Sequence, residues 1–151
     1  MDKKLMKQLL IEKKELLDSI TRREMPHLEN KEIMIIDDSQ ETITILSNIL
    51  KKESDYILKS YTNEFHALEE IASQSPDLII LDIGLQTVNG LKLTNIIQNL
   101  DSYKNPILYI SANSSYKKDL EVLFGKEIHF LTKPIRKNEL LLTIEKIFRK
   151  K

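Results

Sequence analysis

The chain has 151 residues, 41% hydrophobic and 30% charged, enough for one domain with a real core and too few for two ordinary ones. Its 23 basic and 23 acidic side chains cancel, which leaves no global basic field for nucleic acid or anionic lipid. No stretch is apolar for the length of a membrane span; the lack of Cys excludes disulfides and thiolate zinc sites and fits a cytoplasmic protein, and three Gly with no Trp argue against a Gly-rich nucleotide loop or an aromatic stacking platform.

In chain order, Leu9/Leu16 and Leu10/Leu17 are seven apart, with Met6 and Ile20 extending the stripe, which predicts an amphipathic helix over 2–24. Glu12-Lys13-Lys14-Glu15 forms its wet face. Pro26 disfavours helical geometry at Met25, so the helix ends there and 27–30 reads as a linker. The stripe holds about two heptads, fewer than identify a coiled coil. Packing on the rest of the chain, pairing with a second copy as a homodimer, and service as the tail of a longer signalling helix all stay open. The expected domains are 1–30, helix and linker, and 31–151.

From Lys31 onward strands and helices alternate. Ile33-Met34-Ile35-Ile36 is a strand, and Ile43, Leu46, Ile49 and Leu50 mark the helix after it. Tyr56-Ile57-Leu58 is a weak second strand, followed by a helix with Phe65, Leu68, Ile71 and Ala72 on its inner face. Pro76 precedes the strand Leu78–Leu81; Gly90 opens a helix carrying Leu91, Leu93, Ile97 and Leu100. Pro106 precedes the strand Ile107–Ile110, and Leu120, Val122 and Leu123 mark a short helix before Gly125. Ile128–Leu131 is the last strand, and Leu140, Leu141, Ile144, Ile147 and Phe148 line the last helix. Short runs rich in branched residues suit strands buried on both faces, so the fold class is α/β with a doubly wound five-stranded parallel sheet.

In such a sheet, groups just past the carboxyl ends of the strands converge on one crevice. Here those groups are Asp37-Asp38, Asp82, Ser111 and Lys133-Pro134. A carboxylate can act as nucleophile and carry a phosphoryl group as a mixed anhydride. Three crowded carboxylates repel unless a cation with hard-oxygen preference, such as Mg²⁺, sits among them. Lys133 and the Ser111 hydroxyl would then meet phosphoryl oxygens.

The segments Lys31–Gln40 (KEIMIIDDSQ), Pro76–Leu85 (PDLIILDIGL), Pro106–Ala112 (PILYISA) and Phe130–Pro134 (FLTKP) resemble the receiver domains of two-component response regulators, the CheY-like family, over about 31–150. The spacings of 44 residues from Asp38 to Asp82, 29 to Ser111 and 22 to Lys133 agree with that family. The resemblance implies a flavodoxin-like sheet of order 2-1-3-4-5. It implies Asp82 as acceptor of phosphate from a histidine kinase or phosphotransfer protein, and Mg²⁺ held by Asp37, Asp38, Asp82 and the backbone carbonyl of Gly84. It also implies Ser111 and Lys133 as phosphoryl-contacting groups, and Phe130 as an aromatic switch that reshapes a surface for a downstream protein target. Such a chain is not a classical enzyme: at most it catalyses its own slow phosphorylation and dephosphorylation. Leu85-Gln86 stands where the family usually has Met-Pro, Gly90 is present where expected, and Gly84 has no side chain to shield a phosphoryl group.

Each residue also has a plainer use. Asp37-Asp38-Ser39 can cap a helix, Asp82 and Ser111 can serve turns, Lys133-Pro134 can end a strand, and Phe130 can be core. His27, His66 and His129 do not fall at metal-ligand spacing and are expected to be structural or exposed. An aspartate-nucleophile phosphatase would want a second acid two positions after one on the first strand, whereas these two are adjacent. The sequence stops at Lys151 just past the last helix, so no DNA-binding or catalytic output domain is expected in it. The remaining alternatives are the receiver of a hybrid sensor histidine kinase and a receiver-like module that binds partners without phosphorylation.

Overall fold

The computed structural model describes residues 2–24, 30–53, 55–84, 90–125 and 127–149, with the side chains of 17–24 excepted. The chain divides into two compact units, Met1–Asn30 and Lys31–Lys151. The first is helix α1 (Lys3–Glu24), begun by Asp2, whose Oδ1 accepts from the Lys4 amide at 3.0 Å. Its first turn carries Lys3 and Lys4 and no acid of its own, so Asp2 partly offsets basic charge that opposes the helix dipole. Leu5, Met6, Leu9, Leu10, Ile11 and Leu16 are exposed.

The second unit runs β1 (Glu32–Ile36), α2 (Gln40–Glu53), β2 (Ile57–Tyr61), α3 (Glu64–Ser73), β3 (Leu78–Asp82), α4 (Gly90–Gln98), β4 (Ile107–Ser111), α5 (Tyr116–Phe124), β5 (His129–Thr132) and α6 (Lys137–Arg149). The strands form one sheet in the order β2-β1-β3-β4-β5, all pairings parallel. This is the doubly wound arrangement and order expected. β1, β3 and β4 are central and aliphatic because helices cover both their faces. Met34, Ile36, Ile79, Leu81, Ile107 and Tyr109 pack in one cluster with Ala67 and Ile71 of α3, Leu93 and Ile97 of α4, and Leu120 of α5. The alternating residues Ile33, Ile35, Leu78, Ile80, Leu108 and Ile110 point the other way and are equally buried. The buried residues of α2 and α6 lie outside that first cluster. A Glu53–Lys137 ion pair at 2.8 Å links those two helices, and the Tyr56 and Phe148 rings meet at 5.9 Å.

Three expectations shift. The second strand occupies 57–61, because β2 pairs along the whole of β1 from Glu32↔Ile57 to Ile36↔Tyr61. In α3, Asn63 caps the helix by accepting from the amides of Phe65 and His66 at 2.8 and 3.3 Å. That start aims Glu64, Ala67 and Ile71 inward and leaves Phe65 and Ala72 exposed. In α5, Leu120 alone is buried, while Val122 and Leu123 are 79% and 59% exposed. At 3.6 residues per turn, a helix with Leu120 inward turns Val122 to the far side.

Candidate functional site

Two strand ends deliver the acids. Asp37 follows β1, its amide donating to the Tyr61 carbonyl at 3.1 Å, and is fully buried. Its Oδ1 accepts from the Ser39 amide at 2.8 Å. Asp82 is the last residue of β3, nearly buried, with Oδ1 accepting from the Gly84 amide at 3.0 Å. Each carboxylate thus spends one oxygen on holding its own turn and keeps Oδ2 free for a partner. Both Oδ2 atoms meet the Lys133 Nζ, at 3.1 Å from Asp37 and 3.3 Å from Asp82. The Lys133 amide donates to the Ser111 carbonyl at 2.8 Å, which anchors the chain just past β5 beside the end of β4. The Lys133-Pro134 peptide is cis.

Asp38 is exposed, yet a carboxylate oxygen from each of Asp37, Asp38 and Asp82 lies within 4.8 Å of the others. Capping does not account for the pair, because Ser39 does that work: its Oγ accepts from the Thr42 amide at 3.3 Å and its carbonyl from the Ile43 amide at 3.2 Å. Burial pushes the Asp37 carboxyl above the usual carboxylate range, and neighbouring Asp82 adds to this against the opposing hydrogen bonds from Ser39 and Lys133. At Lys133 burial is the largest influence and acts to lower the pKa, but the hydrogen bonds and charges of Asp37 and Asp82 together raise it. Among the described residues the Lys133 ammonium pairs with two of the three carboxylates, Asp37 and Asp82, which leaves an anionic cluster of hard oxygens. That donor set fits a small divalent cation such as Mg²⁺.

Ser111 closes β4 one residue beyond Ile110, the register partner of Asp82. It is nearly buried, and its Oγ accepts from the Asn113 amide at 3.0 Å. Phe130 lies opposite Tyr109 in the β4–β5 pairing, half-buried against the core cluster. Gly84 is exposed, and a Cβ there would stand 3.6 Å from Asp82 Oδ1, an ordinary contact. Leu85-Gln86 lies outside the described residues, as does His27; His66 is exposed and His129 half-buried.

Sequence reasoning placed Gly90 at a helix start without the physical reason for it, and it did not single out Tyr109. Gly90 is needed for space: its amide donates to the Ile83 carbonyl at 3.2 Å, and a Cβ would come within 2.5 Å of the Ile83 Cα. Tyr109 carries a hydroxyl into an otherwise aliphatic strand, where burial pushes its pKa up. A polar tip in a fully buried strand was the available signal.

The profile of the response regulator receiver domain family matches residues 33–145. Among curated relatives, the CAI-1 autoinducer sensor kinase/phosphatase CqsS of Vibrio cholerae is 29% identical over 144 residues, 92% of this chain and 21% of CqsS. The alkaline phosphatase synthesis transcriptional regulatory protein PhoP of Bacillus subtilis is 26% identical over 122 residues, 80% of this chain and 50% of PhoP. The chain therefore spans about a fifth and a half of these two relatives. A crystal structure of a response regulator from Chloroflexus aurantiacus superposes with a TM-score of 0.73 at 22% identity, covering 81% of this chain and 100% of that one.

Proposed function

The chain belongs to the response regulator receiver domain family, and we propose that within it Asp82 is the phosphoacceptor, charged by the phosphohistidine of a histidine kinase or phosphotransfer protein. The observation that carries this is the single ammonium of Lys133 held between Asp37 and Asp82 at 3.1 and 3.3 Å. A carboxylate oxygen of Asp82 attacks phosphorus, the P–N bond breaks, and the imidazole nitrogen keeps the electron pair and takes a proton. The product is an acyl phosphate. Lys133 then turns from the carboxylate to a phosphoryl oxygen, and the Ser111 hydroxyl exchanges its contact with Asn113 for a second. Asp37, Asp38, Asp82 and the Gly84 carbonyl would hold Mg²⁺, which supplies charge compensation for the phosphoryl oxygens.

Phe130 is the readout. Withdrawal of Ser111 toward the phosphoryl group frees space next to β5, and inward rotation of the half-buried ring alters the α5–β5–α6 face. A downstream protein that reads this face is the output partner, and the exposed apolar side of α1 is a surface for a second copy of the chain. No helix among the described residues is long and apolar enough to cross a membrane, and we place the chain in the cytoplasm beside its kinase. Apart from slow self-phosphorylation and dephosphorylation it is no enzyme. Incubation with acetyl phosphate and Mg²⁺ is expected to add the mass of one phosphoryl group, and Asp82→Asn to abolish the adduct. An unmodified wild-type chain, or an adduct that persists in the variant, overturns the assignment.

One observation favours a specific setting. The likeness to CqsS covers 92% of this chain and so reaches past the matched family profile at 33–145. That favours the receiver of a hybrid sensor kinase, and an ATP-binding kinase region in the coding sequence upstream is the test.

A further inference from the structure

Residues 2–16 are exposed throughout. At about 100° of turn per residue, Leu5, Met6, Leu9, Leu10 and Leu16 fall within one arc of about 140° on α1. Lys13 lies in the same arc, where its methylenes can follow an apolar seam while the ammonium stays in water. Charge is distributed unevenly along the helix axis. Lys3, Lys4 and Lys7 stand against Asp2 alone, whereas Glu12, Lys13, Lys14 and Glu15 cancel. The first turn contains no acid. The basic excess therefore sits at the amino end, where the helix dipole is already positive and favours anions. The same dipole makes the carbonyl end at Glu24 negative.

A helix basic at one end, negative at the other and apolar along one side is complementary to itself. Parallel pairing would bring two positive dipole ends and both sets of amino-terminal lysines together. Antiparallel pairing lays each basic end beside the partner's carbonyl end, and two-fold symmetry makes both contacts at once. We propose that α1 pairs with α1 of a second copy in the antiparallel sense, held in that sense by its basic amino end, so that the two receiver units continue from opposite ends of one helix pair. This deepens, and rests on, the reading of α1 as a surface for a second copy. With full overlap of the 22-residue helices the two exits lie about 33 Å apart. The pairing joins two receivers without bringing their chain entries together.

The chain has no native Cys, so a nitroxide label can be set at one chosen position. Lys4 and Ile11 are exposed, seven residues apart, and on the side of α1 turned away from the apolar arc. Lys4→Cys and Ile11→Cys are labelled separately in the full chain, and the distance between the labels of a dimer is read by pulsed EPR. In an antiparallel pair, moving the label from 4 to 11 carries both labels toward the midpoint, and the distance is expected to fall by about 7–12 Å. Equal distances at the two positions overturn the antiparallel sense and leave the second-copy reading standing. Sedimentation of the unlabelled chain supplies the dimer Kd, expected to rise about threefold or more between about 50 and 500 mM NaCl as the attraction of unlike ends is screened. A Kd that stays constant or falls overturns the role of the basic end. A chain that remains monomeric up to about 0.5 mM overturns the second-copy reading, and the orientation with it.

Discussion

Asp37 is fully buried with a carboxylate neighbour, and folding holds its pKa above the unfolded value, chiefly by burial. A raised carboxyl pKa means that the folded state disfavours the anion. The cost is present above the folded pKa and disappears as pH falls through it. Asp37→Asn removes the cost at pH 7 and is expected to raise Tm by roughly 2–5 °C without added Mg²⁺. The gain should shrink as pH drops from neutral toward the acid range, because the wild type relieves itself by binding a proton. Thermal melts of both proteins across that range check the sign; a variant less stable at every pH would show that the lost Lys133 contact outweighs the relief. Lys133→Met removes the ammonium paired with Asp37 and Asp82 and is expected to slow phosphorylation by about 100-fold or more while the adduct still forms on Asp82. At this scale the sequence was informative: Asp37, Asp38, Asp82 and Lys133 each end an apolar run, and strand direction alone puts such residues on one rim. It was silent on which oxygen each acid keeps free, because that depends on the amides of Ser39 and Gly84 in turns no pattern specifies.

At the level of elements, the first residue of α4 lies against the backbone just past β3. Gly90 permits it, and an added Cβ would strike the Ile83 backbone at 2.5 to 2.9 Å, which no rotamer can relieve. Gly90→Ala is therefore expected to destabilise the second unit by about 1–3 kcal/mol, measured by urea unfolding. A neutral result would mean that α4 can retreat from β3 freely. Glycine at a helix start was visible in the sequence, but the reason for it was not, since the contact joins backbones. α5 misled for a different reason. Val122 and Leu123 look like core by composition, yet the inward face is taken by Tyr116, Leu120 and Phe124 at four-residue spacing. Periodicity needs several turns to fix a face, and α5 is too short to supply them.

For the whole molecule, the decisive fact is that the apolar core is confined to Ile33 through Phe148, whereas the apolar side chains described in α1 are exposed. The second unit thus has a hydrophobic core of its own, and α1 is a helix of 22 residues in which no apolar side chain among the described residues is buried. Most helical stability in proteins comes from packing of an apolar face rather than from propensity. A second copy would cover Leu5, Leu9 and Leu16, but with about two heptads the association should be weak and concentration-dependent. Sedimentation of the full chain is expected to show a monomer–dimer equilibrium, and removal of residues 1–30 to leave a monomer with Tm within about 2 °C of the parent and an unchanged Asp82 adduct. A truncated chain that dimerises equally well would move the interface to the sheet-bearing unit. One that melts much lower would show that α1 completes that unit's core, with the domain boundary at Asn30–Lys31 set aside.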